Sequence, residues 1–276
     1  MPEATTGAPQ PLAGDLLPPG PSELLAGLSH EDASRAAAAF APGAVYAAPA
    51  SEEDEAAPRS VLRGEEIAAA LAADPQLGRV HQVRLCCAEG QDCLIEGWIL
   101  GPDGERARTF AATLQLDSAG LISRCLLFRT PAVEEAGGVG GGNDGATDIM
   151  QLLEEYFAHL QAGRFEAATE HYSSDGLYSH PPYSPGAGRA EFRGHAELLA
   201  GFEARGVRPA RHFFHVSVQR GGDLMIEGHA TVDGTSEGPQ NSFVSSASLD
   251  ADGKIRRYVA FQTEGRVPRL ESGRAD

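Results

Sequence analysis

FAATLQLDSAGLISRCLLF, residues 110–128, and FVSSASLDADGKIRRYVAF, residues 243–261, decide how this chain is read. The two stretches align without a gap. Phe110, Leu116, Asp117, Gly120, Ile122, Arg124 and Phe128 recur as Phe243, Leu249, Asp250, Gly253, Ile255, Arg257 and Phe261. Each stretch alternates apolar and polar residues on both sides of Asp-x-x-Gly, the signature of two strands joined by a tight turn. Further upstream the correspondence continues. His81 lies 15 residues before Glu96-Gly97, and His212 lies 15 residues before Glu227-Gly228. AVYAAP (44–49) precedes Arg63-Gly64, and GLYSHPP (176–182) precedes Arg193-Gly194. Two copies are too few for a solenoid, which needs at least three, so the pattern is that of a duplicated globular domain.

The second copy gives the clearer element order. Asp148 caps a helix in which Ile149, Leu152, Leu153, Tyr156, Phe157 and Leu160 recur at helical spacing, and Gly163 ends it. A second helix is expected over Phe165–Tyr172, a short strand over Leu177–His180, and a third helix over Ala196–Ala204. Strands follow over Arg211–Gln219, Asp223–Val232, Ser242–Leu249 and Ile255–Thr263. Helices first and antiparallel strands last make an α+β fold. The domain plan is a disordered tail (1–21), a first domain (22–133), a Gly-rich linker (134–146), a second domain (147–265) and a C-terminal tail (266–276). In the first domain only Glu23–Leu28 matches the long opening helix, which predicts a truncated lid and a more open cavity.

The 276 residues suit two domains, and 42% apolar residues can fill their cores. A net charge of −17 argues against phosphate backbones and anionic membrane surfaces as partners. No apolar run reaches the ~20 residues of a membrane span, and no secretory leader is visible. The four cysteines show no C-x-x-C spacing, so reduced thiols and a cytoplasmic location are expected. The acidic run Glu52–Glu55 reads as a solvated loop. Nucleophile elbow, phosphate loop, dinucleotide fingerprint and zinc signature are all missing, so neither cofactor nor metal is expected.

The element order, the apolar-Tyr-x-x-Pro strand, the Arg-Gly before the third helix and the Asp-x-x-Gly-x-Ile-x-Arg ending together resemble the nuclear transport factor two-like superfamily. Its SnoaL-like branch is the nearest type. The resemblance covers residues 22–133 and 147–265. It implies two tandem cone-shaped folds, each a curved sheet wrapped round helices over an apolar pocket. The two copies are expected to pack as an internal pseudo-dimer, or the chain to form a homodimer. It also implies chemistry such as isomerisation, cyclisation or dehydration of a small apolar metabolite without a cofactor, in secondary metabolism. A non-catalytic binding or scaffold protein is the alternative. Epoxide hydrolysis is a further one and would need two carboxylates in the cavity.

Polar candidates concentrate in the second copy. Residues two apart on a strand share a face, so Glu227 and His229 point the same way. An acid and an imidazole opening into an apolar cavity would form an acid/base pair. Glu227 has a counterpart in Glu96, which favours a structural role for it over a catalytic one. His180 and His229 have none, since the first copy carries Ala48 and Trp98 there. His180, His229, Glu227 and Tyr178 are thus the expected catalytic group. Tyr156, Tyr183, His212, Phe214, Ser245 and Tyr258 complete the expected ligand-binding set. His212 and His215, three apart on a strand, face opposite ways and would not share an ion. Arg124 and Arg257 are expected in salt bridges on the sheet face.

Overall fold

Asp117 and Asp250 show why the two quoted stretches fold alike. Asp117 Oδ1 accepts from the backbone N–H groups of Ala119 and Leu121, and Asp250 Oδ1 from those of Asp252 and Lys254. Gly120 and Gly253 then turn the chain at φ 78° and 76°, a conformation L side chains rarely adopt. Each repeated Asp-x-x-Gly is one hairpin turn, and its flanking strands carry the rest of the domain.

In the computed structural model of the chain, residues 17–48, 60–134, 147–183, 187–231, 233–235 and 239–270 are described. The acidic run and nearly all of the N-terminal tail and the linker lie outside them. The first half runs α1 (Pro19–Ser29), α2 (Ala33–Ala38), β1 (Phe40–Ala48), β2 (Ser60–Arg63), α3 (Glu65–Ala72), β3 (His81–Glu89), β4 (Asp92–Leu100), β5 (Arg106–Leu116) and β6 (Ile122–Pro131). The second half repeats this order as α4 (Ile149–Gln161), α5 (Phe165–Thr169), β7 (Tyr172–His180), β8 (Ala190–Arg193), α6 (Gly194–Arg205), β9 (Arg211–Arg220), β10 (Asp223–Thr231), β11 (Gln240–Leu249) and β12 (Ile255–Glu264). Each half has one open six-stranded sheet, ordered β2-β1-β6-β5-β4-β3 and β8-β7-β12-β11-β10-β9. The fold is two tandem α+β cones.

The sheets are mixed rather than purely antiparallel. In each half the first long strand returns beside the last one in parallel, with Tyr46 opposite Cys125 and Tyr178 opposite Tyr258. The short strands β2 and β8 fall in segments whose Pro and Gly content reads as loop.

The first cone is not open. Helix α1 has 11 residues against 13 in α4. Pro19 sits in its first turn, where a missing N–H costs nothing. Gly20 lets the helix start lie on the β5–β6 turn, where a Cβ would stand 2.5 Å from the Gly120 carbonyl oxygen. Leu24, Leu25 and Leu28 then pack onto Ile67, Leu71, Ile95, Ile99 and Phe110 and fill the interior. Pro19, Gly20 and Pro21, which the sequence reading places in the tail, form the first turn of this helix.

The convex faces of the two sheets meet through residues of both halves, including Leu94, Leu126, Phe128, Met225, Val259 and Phe261. Equivalent strands approach one another: β3 and β9, β4 and β10, β5 and β11, β6 and β12. Phe128 and its own counterpart Phe261 touch, with ring centroids 6.3 Å apart, as residues on a two-fold axis must. The ion pairs are reciprocal as well. Arg257 binds Glu96 at 2.5 Å, and Arg124 binds Glu227 at 2.7 Å. Burial alone would push the Glu96 carboxyl up, but the guanidinium groups of Arg257 and Arg84 outweigh it and hold Glu96 well below the usual carboxylate range. Residues 266–270 are no free tail. The Val267 and Pro268 carbonyls accept from Arg124, Leu270 exchanges two hydrogen bonds with Gln115, and Arg269 binds Glu227 and Asp92.

Candidate functional site

The interior of the second cone holds a cavity of about 300 Å³. It lies under α4, whose Asp148 N-cap accepts from the Gln151 N–H as the sequence predicts. Phe157, Leu160, Pro182, Pro209, Ala230 and Tyr258 supply apolar wall, while Tyr178, His180, Tyr183, Arg205, Arg208 and His212 bring polar groups to it. Gln161, Thr231, Asn241 and Gln262 line it too.

Strand β7 delivers Tyr178 and His180, and the chain reverses at Pro181-Pro182 to return Tyr183 beside them. The Tyr178 and Tyr183 hydroxyls are hydrogen-bonded at 2.5 Å. Burial pushes both phenols above their ordinary value, so both hold their protons at neutral pH. One hydroxyl donates to the other, which leaves the second proton free for a ligand. His180 stacks on Tyr183 with centroids 4.6 Å apart. Its Nδ1 lies 2.7 Å from the Pro181 carbonyl oxygen, which can only accept. Nδ1 therefore carries the proton of the neutral ring, and Nε2 is left as an acceptor. Burial lowers the His180 pKa to about 3.

His212 enters from β9. Gly228 makes room for this arrangement, because a Cβ there would collide with the Phe213 carbonyl oxygen and the Phe243 ring. The Phe243 ring meets His212 edge to face at 5.6 Å, and Phe157 stacks on the other side at 5.0 Å. Burial lowers the His212 pKa to about 4, with the Arg205 charge adding to the effect. The first half builds the same trio from His81, Gly97 and Phe110. The repeated His, Glu-Gly and Phe of the sequence are thus a packing unit as well as a site component.

The structure separates the expected site residues into three groups. Tyr178, His180, Tyr183, His212 and Tyr258 line the cavity together. Tyr156, Phe214 and Ser245 stand behind it. Tyr156 is fully buried core, Phe214 packs on Phe157, and Ser245 bonds the Tyr258 hydroxyl at 3.0 Å. Glu227 and His229 lie elsewhere, on the convex face of β10. They do share a face, but it is the face that meets the other half. Glu227 is held there by Arg124, Arg269 and the Thr113 hydroxyl, and His229 by His215 Nε2 at 2.8 Å and the Phe213 ring. Neither is placed to act in the cavity. The alternation had two faces to choose from, and the core side belongs to Leu224, Ile226 and Ala230.

Arg205 and Arg208 went unnoticed in the sequence. Arg205 ends α6, where a basic side chain reads as helix-dipole complement on the surface, and Arg208 follows just beyond the helix. Their guanidinium carbons sit 5.7 and 4.7 Å from the centroid of the Tyr183 ring. The described lining residues include no Asp or Glu, so the paired carboxylates of an epoxide-hydrolase reading are missing from them. Among the described residues no group of three or more His, Cys, Asp or Glu is arranged to hold a metal ion. No helix among them is long and apolar enough to cross a membrane.

Residues 153–258 match the family model of the SnoaL-like domain. The similarity falls in the second half of the chain. The match takes in α5, α6 and most of the cavity wall, from Phe157 to Tyr258. Solved structures similar to the chain include a nuclear transport factor two-like protein of unknown function from Cytophaga hutchinsonii, 14% identical over 41% of this chain and 88% of that one, with a TM-score of 0.32. A candidate ketosteroid isomerase from Kribbella flavida is 16% identical over 45% of this chain and 83% of that one, with a TM-score of 0.32. A candidate polyketide cyclase from Sinorhizobium meliloti is 14% identical over 40% of this chain and 93% of that one, with a TM-score of 0.31. No curated protein matches the chain.

Proposed function

We propose that the SnoaL-like domain binds a small, largely apolar carbonyl compound and moves a proton on it without a cofactor. The observation that carries this reading is the Tyr178–Tyr183 hydroxyl pair beside His180 on one cavity wall. Two phenols that keep their protons are donors for a carbonyl oxygen, and a chain of two polarises the outer hydroxyl. His180 presents the complementary acceptor at Nε2. Its burial keeps it neutral at physiological pH and makes the imidazolium a strong acid, so a proton taken from carbon is readily returned. In the simplest balanced step the C–H proton adjacent to the carbonyl goes to Nε2. The electron pair moves to the oxygen held by the tyrosine, and the proton returns at a different carbon. An isomerisation of this kind consumes nothing besides the substrate.

The first half takes the other role, that of a filled support for the sheet face. Its cone holds small side chains where the second holds Tyr258 and His180 (Cys125 and Ala48 in the aligned positions).

A thermal-shift screen of apolar aldehydes, ketones and enones on the full chain tests the reading. A ligand that binds only the native state raises Tm by mass action. We expect hits whose shift collapses in Tyr178→Phe and Tyr183→Phe and persists in His229→Ala. Hits indifferent to the tyrosines and to His180→Ala, or an empty screen, would sink it.

A further inference from the structure

We infer that the ligand of the second cone carries an anionic carboxylate, which docks against Arg205 and Arg208. The inference rests on the reading of that cavity as a ligand site and adds the chemical class of one end of the ligand. Four buried polar atoms on cavity-lining residues have no hydrogen-bond partner: Arg205 Nε, Arg208 Nε, His212 Nδ1 and Thr231 Oγ1. A buried polar atom left without a partner is costly, and more so when it is charged, so a group of them on one cavity wall points to a ligand that satisfies them. All four residues line the same cavity.

The charge points the same way. The chain as a whole has a net charge of −17, yet the described cavity lining carries two guanidinium groups and no carboxylate. Both arginines are held rather than loose. Each lies over the Tyr183 ring, and Arg208 Nη1 and Nη2 reach the Tyr183 carbonyl oxygen at 3.5 and 3.4 Å. That fixes their planes beside the tyrosine pair. A planar guanidinium presents its N–H groups in a fork that fits the two oxygens of a carboxylate. The remaining wall, Phe157, Leu160, Pro182 and Tyr258, suits a flat unsaturated body. With Arg205 and Arg208 on the acid group and Tyr183 between them and His180, the ligand's own carbonyl would meet the tyrosine pair. The volume sits at the lower end of small-molecule pockets, roughly 300–1,000 Å³.

Calorimetric titration of the full chain with cinnamate, cinnamamide and benzylideneacetone separates the charge from the shape. The three share one unsaturated aromatic body and differ in the group at its end. We expect cinnamate to bind about tenfold tighter than cinnamamide, the gain of exchanging a neutral for a charge-assisted pair. That preference should shrink as salt rises. Arg205→Gln and Arg208→Gln should each erase the preference for the acid over the amide, while Arg208→Lys should keep part of it. Circular dichroism identifies any variant that fails to fold, and the other arginine then carries the test. Equal binding of acid and amide, or a preference that survives both Gln variants, overturns the anionic ligand. If benzylideneacetone still binds in a Tyr178-dependent way, the carbonyl reading of the cavity stands alone. Absence of binding by all three at roughly millimolar concentration overturns both.

Discussion

The two cones share a topology, a turn and a packing trio, and they differ in what closes the mouth. In the first, Arg129 and Asp74 form a bidentate pair beside His81, with both side chains buried. The position of Arg129 is taken in the second by Gln262, which lines the open cavity. Cys125 likewise becomes Tyr258, and Ile99 becomes Ala230. A few exchanges on the inner face turn a plugged interior into a lined one, while the outer face keeps the arginines and glutamates that join the halves. The lesson is that the two faces of each sheet follow different rules. The outer face must match its copy, and the inner face is free to diverge.

The largest expected effect lies on the shared face. Glu96→Gln strips Arg257 and Arg84 of their buried partner, and breaking such a pair costs about 3–5 kcal/mol. Denaturant unfolding should show that loss in one transition involving both halves. A loss confined to one of two separate transitions would show that the cones are held together by something other than these pairs. Next comes the plug. Arg129→Gln copies the second half into the first and leaves Asp74 unpaired, for a loss of about 3 kcal/mol. The thiols of Cys86 and Cys93, buried in the first cone, should then react faster with a water-soluble disulfide reagent. Unchanged thiol kinetics would mean that the mouth is closed by the helices alone.

The tyrosine pair should give a smaller stability change. Tyr183→Phe removes one hydrogen bond, worth about 1 kcal/mol, yet should abolish the ligand-induced shift in Tm. The cost of the same change at Tyr46, the counterpart of Tyr178, should appear in stability only. Finally, the histidines set an acid limit. His81 and His212 have pKa values lowered to about 4, from an ordinary 6.5, by burial first of all, and His180 to about 3. Below the ordinary value the unfolded chain binds protons that the native chain refuses, so stability must fall as pH drops from about 6.5 towards 4. His212→Phe should flatten that fall in a pH series of melting temperatures. A slope identical to the parent would show that His212 is wet in solution.

The repeat makes the fold legible in the sequence. Asp117 with Gly120, and Asp250 with Gly253, fix the hairpins by local chemistry alone, and period-two alternation marks the strands around them. The parallel partnership of β7 with β12 was not legible, because it joins segments separated by the whole helical layer. The site was half legible. Tyr178, His180 and Tyr183 are near in sequence and near in space. Alternation alone does not say which face of β10 looks inward, so it is equally compatible with Glu227 and His229 in the cavity, whereas they lie at the interface. Arg205 and Arg208 look like any basic residues at a helix end until Tyr183 is placed beneath them.

The contact between Phe128 and Phe261 has a consequence for how this molecule can change. In an assembly of two identical chains a substitution on the axis is felt twice, and the assembly comes apart on dilution. Here the partner is tethered, so its effective concentration does not depend on how much protein is present. Each cone can therefore be altered singly while the other keeps the face both need. A chain built this way can lose a cavity on one side without losing its shape, and keep one on the other without being forced to keep two.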